Sequence, residues 1–387
     1  MSAPDVAIVG GGAIGLAIAW RAASAGMRVS LIDDAPGSGA SSVAAGMLAP
    51  VTEVHYGEEP LLALNLAAAR AYPGFVQELE DAAGSPVGYQ ACGTLSVAFD
   101  ADDVAVLDDL HAFQSTLGLP VRRLSGRECR DLEPMLAPPL RSGMLADADH
   151  RVDNRLLVAA LVEAARRAGV TFVGARAQAF LTSGDRVSGL LLEDGRTLAT
   201  GSAVLAAGSW SGSVDGLPPA TLPAVRPVKG QLLVLRGPAS PPLLGRNVRG
   251  LARGQSVYLV PRDDGRVVVG ATVEERGFDT RRTADAARTL LRDAHQLVPG
   301  VDELELLEHA VGLRPGSPDN APLLGTTEVE GLLMATGHYR NGILLTPVTA
   351  DTITTLLVDG EPPELISAFA PTRFSLQSRC ALAGAGT

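Results

Sequence analysis

The chain opens on an apolar run, DVAIV, broken by the turn GGGAIG; an apolar pattern of helical period follows from about Ala13 to Ala25, then the strand-like RVSLID. Short apolar runs bounded by glycine predict buried strands, and Gly26 supplies the left-handed residue that ends the helix between them. A helical period covers Glu58 to Ala83, TLSVAF near residue 95 reads as a strand, and a further helix spans about Val104 to Leu117. Asp153 is placed to cap the helix NRLLVAALVEAARRA, which stops at Gly169 before the strand VTFVG, so the helix-to-strand order of the N-terminus recurs. RVSGLLLEDGRTLAT predicts a hairpin turning at Asp194-Gly195, and SAVLAAGSW a buried strand entering a loop; both are expected to continue the same layer.

After Pro218 the pattern shifts to proline-rich connections and β-rich segments, VKGQLLVLRG and SVYLVPRDDGRVVVGATVE, the latter a hairpin turning at Asp264-Gly265. A helix near Ala284 to Leu297 leads back to the strand GLLMATG and to NGILLTPVTADTITTLLVDG, read as a helix opening at Gly342 to Leu345. No internal repeat has a fixed period. The expected fold class is α/β: a Rossmann-like nucleotide-binding domain assembled from residues 1–85, 150–220 and 310–375, interleaved with a mostly antiparallel β domain from 86–149 and 221–309. Residues 376–387 lack periodicity and are expected to form a disordered tail.

A length of 387 residues suits two domains. The formal charge of −11 argues against nucleic acid or an anionic membrane as partner, while leaving small anions free to respond to one or two buried arginines. Cys92, Cys129 and Cys380 form no CxxC pair and no cluster with the six histidines, so no metal is expected and a reduced cytoplasm fits. Asp5 stands where a signal peptide would carry basic residues, and no apolar stretch is long enough to span a bilayer.

Gly10, Gly12 and Gly15 fit GxGxxG between a predicted strand and a predicted helix. In that context Gly10 permits the tight turn, Gly12 the approach of a pyrophosphate to N–H groups at the helix start, and Gly15 close packing of helix on strand. Asp33 ends the second strand 18 positions after Gly15, where an acid can hold a ribose hydroxyl. The small residues and hydroxyls of GSGASSVAAGMLAP, with Ser41 and Ser42, suit a chain running close past an extended dinucleotide, more naturally FAD than NAD. Arg314, in GLRPGSPDNAPLLG, ends an apolar segment and needs an anion, either an internal acid such as Asp319 or a ligand.

Together GGGAIG, GASSVAAGM, VLAAGSW, VYLVPR, GLRPGSPDNAPLLG and GHYRNGILLTP resemble FAD-dependent amine oxidases of the D-amino-acid oxidase-like family, most of all its glycine oxidases, from about residue 5 to 372. The resemblance implies a noncovalent FAD on a discontinuous domain of the GR2 type, covered by the β-rich substrate domain. Arg314 would bind the substrate carboxylate, Tyr258 would add a hydrogen bond to it, and Arg340 and Met47 would lie beside substrate and flavin. Along the FAD it places Gly10, Gly12, Ala13, Ile14, Gly15, Asp33, Ser41, Ser42, Ala45, Gly46, Ala207, Gly208, Trp210, Gly337, Asn341, Gly342, Ile343 and Leu344. Some relatives carry histidine where this chain has Ser256, and His338 is expected to be structural because the chemistry needs only a neutral amine. The implied reaction is oxidation of glycine by molecular oxygen to an imine, then glyoxylate, ammonia and hydrogen peroxide, feeding thiamine thiazole formation, with a homo-oligomer possible. Sarcosine, proline or a D-amino acid as substrate, a quinone as acceptor, and a non-catalytic flavin-binding subunit are the alternatives. GHYRNGILLTP has no cysteine for covalent attachment of the flavin.

Overall fold

The computed structural model describes residues 3–252 and 254–374; the expected tail and Cys380 lie outside them. Its centre is a six-stranded sheet in the order Leu323–Thr326, Leu332–Thr336, Ala203–Leu205, Val6–Val9, Val29–Ile32, Thr171–Val173. All neighbours are parallel except the first pair. Val6–Val9 and Val29–Ile32 are buried throughout, as strands covered on both faces must be. One face carries the helices Ala13–Ser24, Glu59–Ala83, Asn154–Arg167 and Thr346–Asp359, joined to it in one apolar core.

Local signals act as expected here. Gly26 takes φ 91° after the first helix, and the Asp153 carboxylate accepts from Arg155 N at 3.0 Å and Leu156 N at 3.2 Å, a cap worth about 1 kcal/mol. The hairpin Arg186–Leu192 with Thr197–Ala199 forms, but it joins Ala177–Ser183 in a separate three-stranded antiparallel sheet instead of continuing the central layer. The Asp194-Gly195 turn imposes antiparallel pairing, and its partner strands Ala177–Ser183 and Thr197–Ala199 are largely exposed, so the three strands form a surface sheet and not part of a doubly covered parallel layer.

The second sheet has eight strands in the order Glu305–Gly316, Arg226–Arg236, Arg266–Gly270, Gln255–Pro261, Asn247–Ala252, Thr94–Ala98, Ser142–Ala146, Arg122–Ser125. It is antiparallel apart from the pair Asn247–Ala252 and Thr94–Ala98. Strand alternation divides its faces: Leu233, Leu235, Val257, Leu259, Val267 and Val269 pack toward the helix Ala284–Leu297, while Leu232, Val234, Val260, Val268 and Tyr258 face the other way, toward Ala45 and Met47. Among the described residues no helix is long and apolar enough to cross a membrane, and no cluster of His, Cys, Asp and Glu stands ready for a metal.

Candidate active site

A cavity of about 850 Å³ runs from the glycine turn to the inner face of the eight-stranded sheet. This lies in the range of sites that enclose cofactors. At one end the chain leaves Val6–Val9 through Gly10 at φ 108°, where a Cβ would run into the Ala206 carbonyl. A Cβ on Gly15 would meet the Gly10 carbonyl, so this glycine serves the contact of helix with turn and does not line the cavity. The helix Ala13–Ser24 begins at Gly12, which has no side chain to cap it, and has no acid in its first turn; Ser41 takes the Ala13 N–H, and the Gly12 and Ile14 N–H groups have no partner among the described residues. That end suits a pyrophosphate.

Asp33 lines the cavity, and its two oxygens accept from Gly11 N at 2.6 Å and Ala35 N at 2.7 Å; a carboxylate has lone pairs left for a ribose hydroxyl. Ser41 Oγ accepts from Ala13 N at 3.0 Å and so ties the small-residue segment to the helix start. Ser42, by contrast, turns its hydroxyl to the Gly39 carbonyl at 2.9 Å, and Gly337 makes a turn at φ 75°; neither lines the cavity. Ala13, Ile14, Ala45, Gly46, Ala207, Gly208, Trp210, Asn341, Gly342, Ile343 and Leu344 do line it. Trp210 sits at the rim, 43% exposed, with its ring 5.9 Å from that of Phe278.

The last helix starts at Thr346, four residues later than the sequence suggests. Asn341 to Leu345 form a tight turn closed by Leu345 N to Asn341 O at 2.8 Å, and Pro347 then starts the helix without needing a hydrogen-bond acceptor. The N–H groups of Gly342, Ile343 and Leu344 have no partner among the described residues, and the buried Asn341 Nδ2 has none either. Unpartnered buried donors in a cavity wall call for an acceptor-rich ligand, and the carbonyl and ring-nitrogen edge of a flavin supplies one. The residues present fit FAD.

At the far end, Arg249, Tyr258 and Arg314 rise from one sheet face. Arg249 is the cross-strand partner of Tyr258, and Tyr258 is that of Gly270. A Cβ on Gly270 would collide with the Tyr258 ring, and one on Gly230 with the Arg314 guanidinium, so two missing side chains clear the floor on which these groups lie. Arg314 Nη1 donates to Thr272 O at 3.1 Å, and the guanidinium has no carboxylate partner among the described residues. Asp319, the internal candidate, is taken by Arg373 through two bonds of 2.9 Å. Burial raises the Tyr258 phenol against the pull of Arg314, which keeps the hydroxyl protonated and able to donate.

Arg340 is largely buried, paired with Glu58 and 3.4 Å from Glu53, which also holds Arg249 at 2.7 Å. Met47 and Ser256 line the same cavity. Arg249, Glu53, Gly230 and Gly270 were not singled out by sequence. The available signal was an unexplained charge in a strand, Arg249, one pairing away from Tyr258 once the register is known.

His338 is buried, with Nε2 3.1 Å from the Thr349 hydroxyl, and burial pushes its imidazole down to about 3. It therefore stays neutral at ordinary pH. The folded chain disfavours the proton that the unfolded chain takes up below 6.5, so the stability His338 contributes is present above that pH and lost as pH falls toward 3. His338→Gln is expected to flatten the acid limb of stability against pH, measured by urea unfolding between pH 7 and 4; an unchanged limb refutes the assignment.

The fold and the cavity are those of a dinucleotide-binding protein, and the residues present fit FAD. A family model described as FAD dependent oxidoreductase matches residues 5–356, and the chain belongs to that family. It is 39% identical over 376 residues to the bifunctional protein ThiO/ThiG of Synechocystis sp., covering 96% of this chain and 54% of that one, so the chain spans about half the length of that relative. It is 35% identical over 372 residues to the glycine oxidase of Geobacillus kaustophilus, covering 95% of this chain and 97% of that one. The crystal structure of glycine oxidase from Geobacillus kaustophilus superposes with a TM-score of 0.87 at 33% identity, over 96% of this chain and 98% of that one.

Proposed function

We propose that the chain oxidises a small amino acid, glycine first, to its imine, which water converts to glyoxylate and ammonia while oxygen is reduced to hydrogen peroxide. The observation that carries this reading is Arg314: a guanidinium without a carboxylate partner among the described residues, beside a protonated Tyr258 and in the cavity that the glycine turn shares. Its planar fork matches a carboxylate through two parallel hydrogen bonds. FAD, when bound, supplies the two-electron acceptor and the route to oxygen. The protein's part is to hold the carboxylate at Arg314 and Tyr258, orient the α-carbon toward the turn Asn341 to Leu345, and leave the amine neutral. No side chain is needed to take a proton from carbon.

The names of the relatives support glycine as the substrate, and the resemblance extends the proposal to supplying the imine for the thiamine thiazole. We also assign residues 1–85, 150–220 and 317–375 to FAD binding and 86–149 with 221–316 to the substrate side; the boundary expected at 310 moves past Gly316 because Glu305–Gly316, which carries Arg314, pairs with Arg226–Arg236 in the eight-stranded sheet. Cys92 and Cys129 are free and absent from the cavity wall, which favours noncovalent FAD and suits a reduced cytoplasm.

The test is the visible spectrum of the purified, FAD-loaded protein without oxygen. Glycine is expected to bleach the flavin, and air to restore it. Bleaching by sarcosine, proline or D-alanine but not glycine replaces the substrate; recovery with a quinone but not with air replaces the acceptor. A flavin that no amine reduces leaves only a flavin-binding subunit.

A further inference from the structure

The wall beside the carboxylate clamp is built from charges that cancel. Arg249 and Arg340 both reach into the cavity, and Glu53 stands between them, 2.7 Å from Arg249 Nη1 and 3.4 Å from Arg340 Nε. One layer back, Glu58 takes the other side of Arg340 and accepts from the Asn320 amide at 3.1 Å. Burial alone would raise the Glu53 carboxyl, but Arg249 and Arg340 hold it below its ordinary value, so it is ionised. His55 faces the same cluster; burial, and then Arg340, push its imidazole down, and it adds no charge at neutral pH.

Glu53 is also fixed in place. The buried Asp149 carboxylate accepts from Val51 N at 3.0 Å and Thr52 N at 2.7 Å, and so anchors the two residues that precede Glu53. The wall therefore presents two arginines whose charge is already met, next to Arg314, whose charge is not.

We infer that Glu53 makes this pocket a monocarboxylate site: by neutralising Arg249 and Arg340 it excludes amino acids that carry a second acid group. The inference rests on Arg314 as the carboxylate clamp. A second carboxylate entering this wall would be desolvated beside the Glu53 carboxylate, and among the described residues both arginines of the wall already have acid partners. Without the Glu53 charge, the same wall has one uncompensated positive charge and accepts that group.

The experiment compares wild type, Glu53→Gln and the double variant Glu53→Gln with Arg249→Gln. One readout is the ratio of kcat/KM for iminodiacetate or D-aspartate to that for glycine. The other, independent of turnover, is calorimetric binding of malonate against acetate. Glu53→Gln is expected to raise both ratios about tenfold or more, the size of one partly desolvated charge contact. The double variant restores the charge of the wall and is expected to return both to near the wild-type values. Unchanged ratios in Glu53→Gln, or a gain that survives in the double variant, overturn the inference. If Glu53→Gln does not fold, Arg249→Gln alone decides: the added net negative charge must weaken malonate relative to acetate, and an unchanged ratio overturns it. A wild type that no amino acid reduces defeats the oxidase reading, whereas the malonate-to-acetate comparison still decides the role of Glu53.

Discussion

Arg314→Ala is expected to lower kcat/KM for glycine about a thousandfold while leaving the flavin content of the protein unchanged. Removing one partner of a buried, hydrogen-bonded charge pair costs about 2–5 kcal/mol, and about 4 kcal/mol is three decades in an equilibrium constant. Most of the loss should enter through KM, because the clamp holds substrate and transition state alike, and the rest through kcat as the α-carbon loses its orientation. Arg314→Lys keeps the charge but loses the fork, and should recover only part of the activity. Asp319→Asn is the control: its carboxylate serves Arg373, so KM for glycine should not move. The measurement is stopped-flow reduction of the flavin against glycine concentration, and an Arg314→Ala protein that reduces at the wild-type KM removes the carboxylate clamp from the mechanism.

Gly230→Ala is expected to lower kcat/KM about a hundredfold although it adds one methyl group in a sheet. That methyl would occupy the place of the Arg314 guanidinium, while Gly230 has an ordinary backbone and its strand, Arg226–Arg236, is paired on both sides. The displacement therefore falls on the clamp and not on the fold, and a shift of about 1 Å at a positioning group can cost two decades in rate. Gly270→Ala should act in the same way through Tyr258, whose ring lies over that position, but less severely, because it disturbs a single hydrogen bond. Thermal unfolding separates the outcomes: a melting temperature near wild type with a raised KM supports the platform, and a KM unchanged in a folded Gly230→Ala protein refutes it.

The features legible in the sequence are those with local causes. The packing of Gly15 on the Gly10 carbonyl, the cap at Asp153 and the left-handed Gly26 act through neighbours within a few residues, and their geometry follows from residue type, whereas the approach of Gly10 to the Ala206 carbonyl depends on a distant strand. The alternation in SVYLVPR was legible for the same reason, since period two sends Val257 and Leu259 to one face and Tyr258 to the other. The start of the last helix was misplaced because Gly342 to Leu345 are compatible with helix, and what stops them is a turn closed by their own backbone. The hairpin at Asp194-Gly195 was recognised, but the sheet it joins was not, because pairing partners are chosen by distant strands.

The site divides along the same line. By itself the sequence pointed to a dinucleotide cradle and, through resemblance, to Arg314 and Tyr258 as the residues we propose to hold the carboxylate. Whether Arg314 would pair with Asp319 or stay free was undecided until Arg373 was seen to occupy that acid. Glu53 meets Arg249 across 196 positions, and Gly230 lies under Arg314 only because Arg226–Arg236 and Glu305–Gly316 pair in one register. Contacts of this kind leave no local signature: each residue is chosen for a partner that only the assembled sheets bring within reach, and so the tertiary structure alone decided the charge and floor of the pocket.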